Sequence, residues 1–234
     1  TLSIHGEIKN DAREKAALEL VHSIYHPDGT LLQTQKQFIQ LKAGETRNFD
    51  SNISPILQPL LWTPETPYLY RVETTLFNCK TKSIVDQSNH HTGFRWFHFE
   101  SNKGFYLNGK PYKLRGICRH QDQKPIGVAL TDEMHRRDMK LMKEMGANFI
   151  RISHYPQDDA IIEMCDKLGM LAWEILPVID IVPDTPGYGD NCERSLREMI
   201  RQHYNHPSII IWGYMNEILL VTQRKYKTEN ELKP

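Results

Sequence analysis

Two patterns of apolar and polar positions divide the chain near residue 97. Up to there, short runs alternate with period two, as in "ALELVHSIYHPDGTLLQTQKQFIQLKAGETRNFD", and are broken by Pro27-Asp28-Gly29 and Ala43-Gly44. Such alternation predicts strands with one buried face, and the breaks predict hairpin turns. "YLYRVETTLFNCKTKSIVDQSNHHTGFRWF" continues the pattern. Several strands at this spacing predict an immunoglobulin-like β-sandwich over 1–97.

From about residue 104 the period changes, and residues 98–234 form the second expected domain. "KLRGI" (113–117) is a short apolar strand. Thr131 is placed to cap a helix that carries Met134, Leu141, Met142 and Met145 on one face and stops at Gly146. "NFIRI" (148–152) reads as the next strand, followed by a helix faced by Ile161, Cys165 and Leu168 and ended by Gly169. "MLAWEIL" (170–176) is a third strand. After it come a helix with Leu196, Met199, Ile200 and His203 on one side and a fourth strand, "IIIW". Strands alternating with helices predict parallel β/α units whose sheet is covered on both faces. A doubly wound nucleotide fold would place a glycine-rich turn after its first strand, and "CRHQDQKPIG" has no G-x-G-x-x-G. The first four units of a (β/α)8 TIM barrel are the better reading.

Bulk properties narrow the function classes. Lysine plus arginine and aspartate plus glutamate number 29 each, so no net field favours nucleic acid or an anionic membrane. The longest apolar stretch, "GMLAWEILPVIDIV", contains Glu174, Pro177 and Asp180 and is too short and too polar to span a bilayer. Cys79, Cys118, Cys165 and Cys192 lie far apart without a Cys-x-x-Cys pair, which predicts free thiols rather than a zinc site. The first residues carry no signal-peptide pattern, and localisation is not legible.

In a (β/α)8 barrel the chemistry sits just past the C-terminal ends of the strands. Those places hold "CRHQD", "SHYP", "EILPVID" and, after the fourth strand, "NE". A carboxylate at the mouth of an apolar strand is costly unless it has a task, which singles out Glu217. Each histidine alone has a bland reading as a loop or surface residue, whereas His, Asp, Asn and Glu gathered at one rim point to a site.

The phrases "GFRWFHFESNKGFYLNGKPYKLRGICRHQD", "RISHYPQ" and "WGYMNE", with "LWTPETPYLY" ahead of them, resemble glycoside hydrolase family 2, the β-galactosidases and β-glucuronidases. The resemblance covers roughly residues 60–217 and implies a β-sandwich followed by a catalytic barrel. It implies that Glu217 is the general acid/base, its charged form disfavoured at the apolar strand end so that it can protonate a leaving glycosidic oxygen. It further implies that Asn216 bonds the sugar 2-hydroxyl and that His120 and His154 line the sugar subsite. Arg151 is expected to hold a catalytic carboxylate from inside the second strand, and Glu174 to support sugar or metal binding. Trp173 and Trp212 are expected in the core or subsite wall, and Arg115 in packing or an ion pair.

Some relatives bind Mg2+ near the acid/base, but "EILPVIDIVPD" does not match that ligand set, and no metal ligand is assigned. Retaining glycosidases need a second carboxylate about 5 Å from the first. The resemblance places this nucleophile on a later barrel strand, so the chain is expected to be an incomplete barrel, inactive alone. Self-association along its open sheet edges is expected. "RHQD" and "SHYPQ" favour a β-galactosidase-like parent acting on a carbohydrate. The alternatives are a β-glucuronidase-like member and a non-catalytic structural fragment.

Overall fold

The computed structural model describes residues 2–183 and 185–218. The chain divides into two compact units, one of residues up to 60 with 68–94, the other of 61–67 with the residues from 95 onward.

In the first unit β1 (Leu2–Lys9) pairs antiparallel with β4 (Thr46–Ile53). The strands β2 (Ala16–Tyr25), β3 (Leu31–Leu41), β5 (Tyr70–Asn78) and β6 (Ile84–Thr92) form a second antiparallel sheet in the order β3-β2-β5-β6. Inward residues of both sheets share one core, in which Ile8 meets Leu18, Leu20, Ile39 and Leu41. The sandwich therefore follows from the period-two alternation. His22 is buried between the sheets, its two ring nitrogens bonded to Thr74 and Ser51. The turn at Pro27-Asp28-Gly29 closes a β2/β3 hairpin. Ala43-Gly44 does not close one: it carries the chain from β3 in one sheet to β4 in the other. Period two marks which face is buried, not which sheet continues.

The second unit opens with an antiparallel meander the sequence did not announce: β7 (Phe97–Glu100), β8 (Gly104–Leu107) and β9 (Lys110–Pro111). Four parallel strands follow in the order β10-β11-β12-β13: β10 (Gly116–Arg119), β11 (Phe149–Ile152), β12 (Leu171–Ile175) and β13 (Ile209–Gly213). Helices α1 (Asp132–Glu144), α2 (Asp159–Leu168) and α3 (Tyr188–His203) connect them. The expected β/α alternation is present. Its first strand starts three residues later than expected, because Lys113 and Arg115 are held by the Asn148 side chain rather than by sheet pairing. Arg115 itself is exposed.

The faces of α1 also differ from expectation. Its buried side is His135 and Met139, with Leu141 and Met145 exposed, and Thr131 sits at the N-cap without a side-chain cap bond. Asp132 and Glu133 supply first-turn negative charge instead. The apolar core lies between the sheet and α1 and α2: Ile150, Ile152, Ala172 and Ile209 pack on Met139, Ile161, Ile162 and Cys165. The opposite face carries a guanidinium among apolar residues such as Phe149, Leu171 and Ile211. There Cys118, Arg151 and Trp173 stand side by side in register.

The "LWTPETP" phrase belongs to this unit through specific contacts. Trp62 is fully buried and donates to the Asp166 carbonyl on α2 at 2.9 Å, while Lys143 bonds the carbonyls of Pro64 and Gly169. Gly169 ends α2 with φ +68°, and a Cβ there would lie 2.3 Å from the Pro64 carbonyl oxygen. Both the left-handed backbone and the backbone collision oppose a side chain. Gly169→Ala is expected to destabilise the unit by about 2–3 kcal/mol, measured as a fall in the denaturant midpoint at unchanged slope.

Candidate active site

The C-terminal ends of the four parallel strands carry the expected rim. His120 follows β10, His154 follows β11, the loop 176–180 follows β12, and Asn216 and Glu217 follow β13. The loop after β12 runs on beside the one after β13. Asn216 N donates to the Val178 carbonyl at 2.7 Å and Asp180 N to the Asn216 carbonyl at 3.1 Å, so the sheet's pairing continues into the site. The backbone of Asn216 is thereby fixed.

Its side chain is fixed as well. Asn216 is buried, and its Oδ1 accepts from Arg151 Nη2 at 2.8 Å. With the amide oxygen held, the Nδ2 end is the one left to meet a ligand hydroxyl. Arg151 lies with its guanidinium carbon 4.8 Å from the centre of the Trp173 ring, a cation–π contact. Its Nε and the Trp173 Nε1 are buried without hydrogen-bond partners among the described residues. Gly213 lets this happen, since a Cβ there would lie 2.5 Å from Trp173 Nε1. Arg151 was expected to hold a carboxylate; in the described residues it holds the Asn216 amide.

His154 follows a cis peptide bond after Ser153, and its ring lies edge-on to His120 with centroids 5.2 Å apart. His120 also lies 5.9 Å from the Tyr155 ring. Burial pushes the His154 pKa below the ordinary histidine value, and the nearby Arg151 and His120 push the same way, against Glu217 and Asp180. His154 is therefore neutral at neutral pH, able to donate from one nitrogen and accept at the other.

Glu217 stands at the same rim with φ +52° and is exposed. The burial expected to disfavour its charge is not supplied by the described residues. Asp180 shares with it a left-handed backbone and an electrostatic influence on His154.

Glu174 is the residue that leaves the site. It is fully buried, but it faces the helices, with both carboxylate oxygens 2.9 Å from Nδ1 of His203 on α3. His203 Nε2 in turn lies 3.2 Å from Asp159. Alternation along β12 decides this: Trp173 faces Arg151, so Glu174 must face the other way. Trp212 likewise packs on the helix-side core. Burial alone would lower the His203 pKa, but the hydrogen bonds and charges of Glu174 and Asp159 raise it above the ordinary value. A raised folded-state pKa gives stability that is complete below the unfolded value of about 6.5 and is lost as pH rises through the folded value. Glu174→Gln is expected to flatten that dependence, narrowing the gap between denaturant midpoints at pH 6 and pH 8.

Among the described residues no group of three or more His, Cys, Asp or Glu could hold a metal ion. No described helix is long and apolar enough to cross a membrane.

Residues 100–230 match the TIM barrel domain of glycosyl hydrolases family 2, and residues 1–95 match a further domain of that family. Among solved structures, Bacteroides uniformis beta-glucuronidase 2, covalently bound to cyclophellitol-6-carboxylate aziridine, is 80% identical with a TM-score of 0.95. That match covers 99% of this chain and 28% of the other. A putative beta-glucuronidase of Formosa agariphila is 43% identical over 70% of this chain and 20% of its own length. A beta-galactosidase of Thermoanaerobacter pseudethanolicus is 37% identical over 74% of this chain and 23% of its own. The chain thus spans about a quarter of the relatives it matches, and it belongs to glycosyl hydrolases family 2.

Proposed function

We propose that this chain supplies the acid/base side of a retaining β-glycosidase whose substrate is a β-glucuronide. The observation that carries the reading is the match, at 80% identity over 99% of this chain, to a beta-glucuronidase covalently bound to cyclophellitol-6-carboxylate aziridine. It favours a glucuronide over the β-galactoside that "RHQD" and "SHYPQ" suggested. Beta-galactosidases are also similar to this chain, at lower identity, and keep the galactoside as the second reading.

In this mechanism Glu217 protonates the leaving oxygen and then, as a carboxylate, draws a proton from the water that releases the sugar. The second carboxylate attacks the anomeric carbon and comes from a barrel strand other than the four described. Asn216, its oxygen held by Arg151, donates Nδ2–H to the sugar 2-hydroxyl, a bond that strengthens as the ring approaches an oxocarbenium ion. Neutral His154 hydrogen-bonds a further hydroxyl without adding positive charge beside the developing cation, and His120 lines the same subsite.

The test is hydrolysis of aryl β-glucuronide and aryl β-galactoside by the intact protein. The glucuronide is expected to be preferred by about a hundredfold or more in kcat/KM. A preference for the galactoside would replace the reading by its second form.

A further inference from the structure

The two rim histidines sit on separate loops, and one buried side chain bonds the backbone of both. Gln157 is buried just below them. Its Nε2 donates to the carbonyl of Arg119 at 2.6 Å and to that of Ser153 at 3.1 Å. These are the residues immediately before His120 and His154. The Oε1 of the same amide accepts from Arg119 Nη1 at 2.8 Å, which fixes the nitrogen end toward the carbonyls. Arg119 is locked in turn by Asp138 at 2.7 Å and by Nδ1 of His135 at 3.0 Å. Three further ties join the same loops: Ser153 N donates to the Arg119 carbonyl at 3.2 Å, Gln121 N to the Tyr155 hydroxyl, and Asp158 N to Gln121 Oε1.

We infer that Gln157 is a positioning residue for the His120–His154 pair: its amide clamps the two preceding carbonyls, and so sets the distance and angle between the rings. A primary amide suits this place because it is the side-chain group that offers two N–H donors on one nitrogen and an acceptor for Arg119 beside it. Each clamped carbonyl is one peptide from a ring, so slackening the clamp moves the histidines relative to each other and to Arg151. Displacements of about an ångström are enough to cost up to a hundredfold in rate. The kinetic consequence rests on the function proposed above; the geometric one does not.

Two substitutions separate clamping from simple filling of space. Gln157→Met keeps the volume and removes every polar contact. Gln157→Glu keeps an acceptor for Arg119 and loses both donors. In the intact protein both are expected to lower kcat/KM on aryl β-glucuronide by about ten- to a hundredfold, with kcat falling more than KM rises. Histidine-selective NMR titration gives the second readout. In the native protein His154 titrates below the ordinary value because of burial, Arg151 and His120, opposed by Glu217 and Asp180. In Gln157→Met its midpoint is expected to rise toward the ordinary value as the loosened ring gains solvent and moves away from Arg151 and His120. Wild-type kcat/KM in Gln157→Glu, or an unchanged His154 midpoint in Gln157→Met, would overturn the inference. If the native protein hydrolyses no β-glycoside, the functional reading fails and the titration alone decides on the clamp.

Discussion

Glu217→Gln in the intact protein is expected to lower kcat/KM on an alkyl β-glucuronide by about 10² to 10⁴, the range for loss of a positioned proton donor. The loss should depend on the leaving group. An alkoxide must be protonated as the glycosidic bond breaks, whereas a nitrophenolate leaves nearly unaided. With the nitrophenyl substrate the first step is expected to stay fast and the second to slow, since the water that releases the sugar has lost its base. A burst of nitrophenol followed by slow turnover is the signature. Equal losses for both leaving groups, without a burst, would point to a Glu217 that binds substrate but moves no proton. The amide is nearly isosteric and Glu217 is exposed, so stability should be little changed.

Asp138→Ala is expected to destabilise the second unit by about 3 kcal/mol or more, with activity impaired at temperatures where the fold persists. Arg119 has a side chain only 3% exposed, and Asp138 is its charge partner at 2.7 Å. Removing the carboxylate leaves a buried guanidinium facing Gln157 and His135, neither of which carries a compensating negative charge. Burial and Arg119 both hold the His135 pKa below the ordinary value, so that ring stays neutral and can accept from Arg119. The cost therefore has two parts, an unpaired charge and a loosened clamp under His120 and His154. Paired replacement of Arg119 and Asp138 by apolar residues is expected to recover much of the stability but not the activity, measured by denaturation and kcat/KM on the same preparations.

The elements of this fold were legible because their periods are distinct. Alternating runs over 16–41 marked strands, and the spacing of Ile161, Cys165 and Leu168 marked a helix whose Gly169 stop is where it was expected. What was not legible is which neighbour a strand finds. Ala43-Gly44 reads like a hairpin turn, yet it links strands of different sheets, because pairing is decided by tertiary packing rather than by the turn residues. The rim residues were legible as a group, and the structure gathers His120, His154, Asn216 and Glu217 at one end of the sheet. Glu174 was misplaced for a reason the sequence did contain. Once Arg151 is set on the open face, register puts Trp173 beside it and turns Glu174 toward His203. Gln157 was hidden differently, as a polar residue in a loop phrase whose histidine drew the reading. Nothing in its spacing says that its amide reaches back to Arg119.

The central claim is that Glu217 and Asn216 face the glycosidic bond of a bound glucuronide. A crystal structure of the intact protein with an uncleaved β-glucuronide analogue tests it most directly. The expected result is a Glu217 carboxylate oxygen within about 3 Å of the glycosidic oxygen, Asn216 Nδ2 bonded to the 2-hydroxyl, and a second carboxylate about 5 Å from Glu217. A sugar seated elsewhere, or a different carboxylate at the glycosidic oxygen with Glu217 turned to solvent, would contradict it.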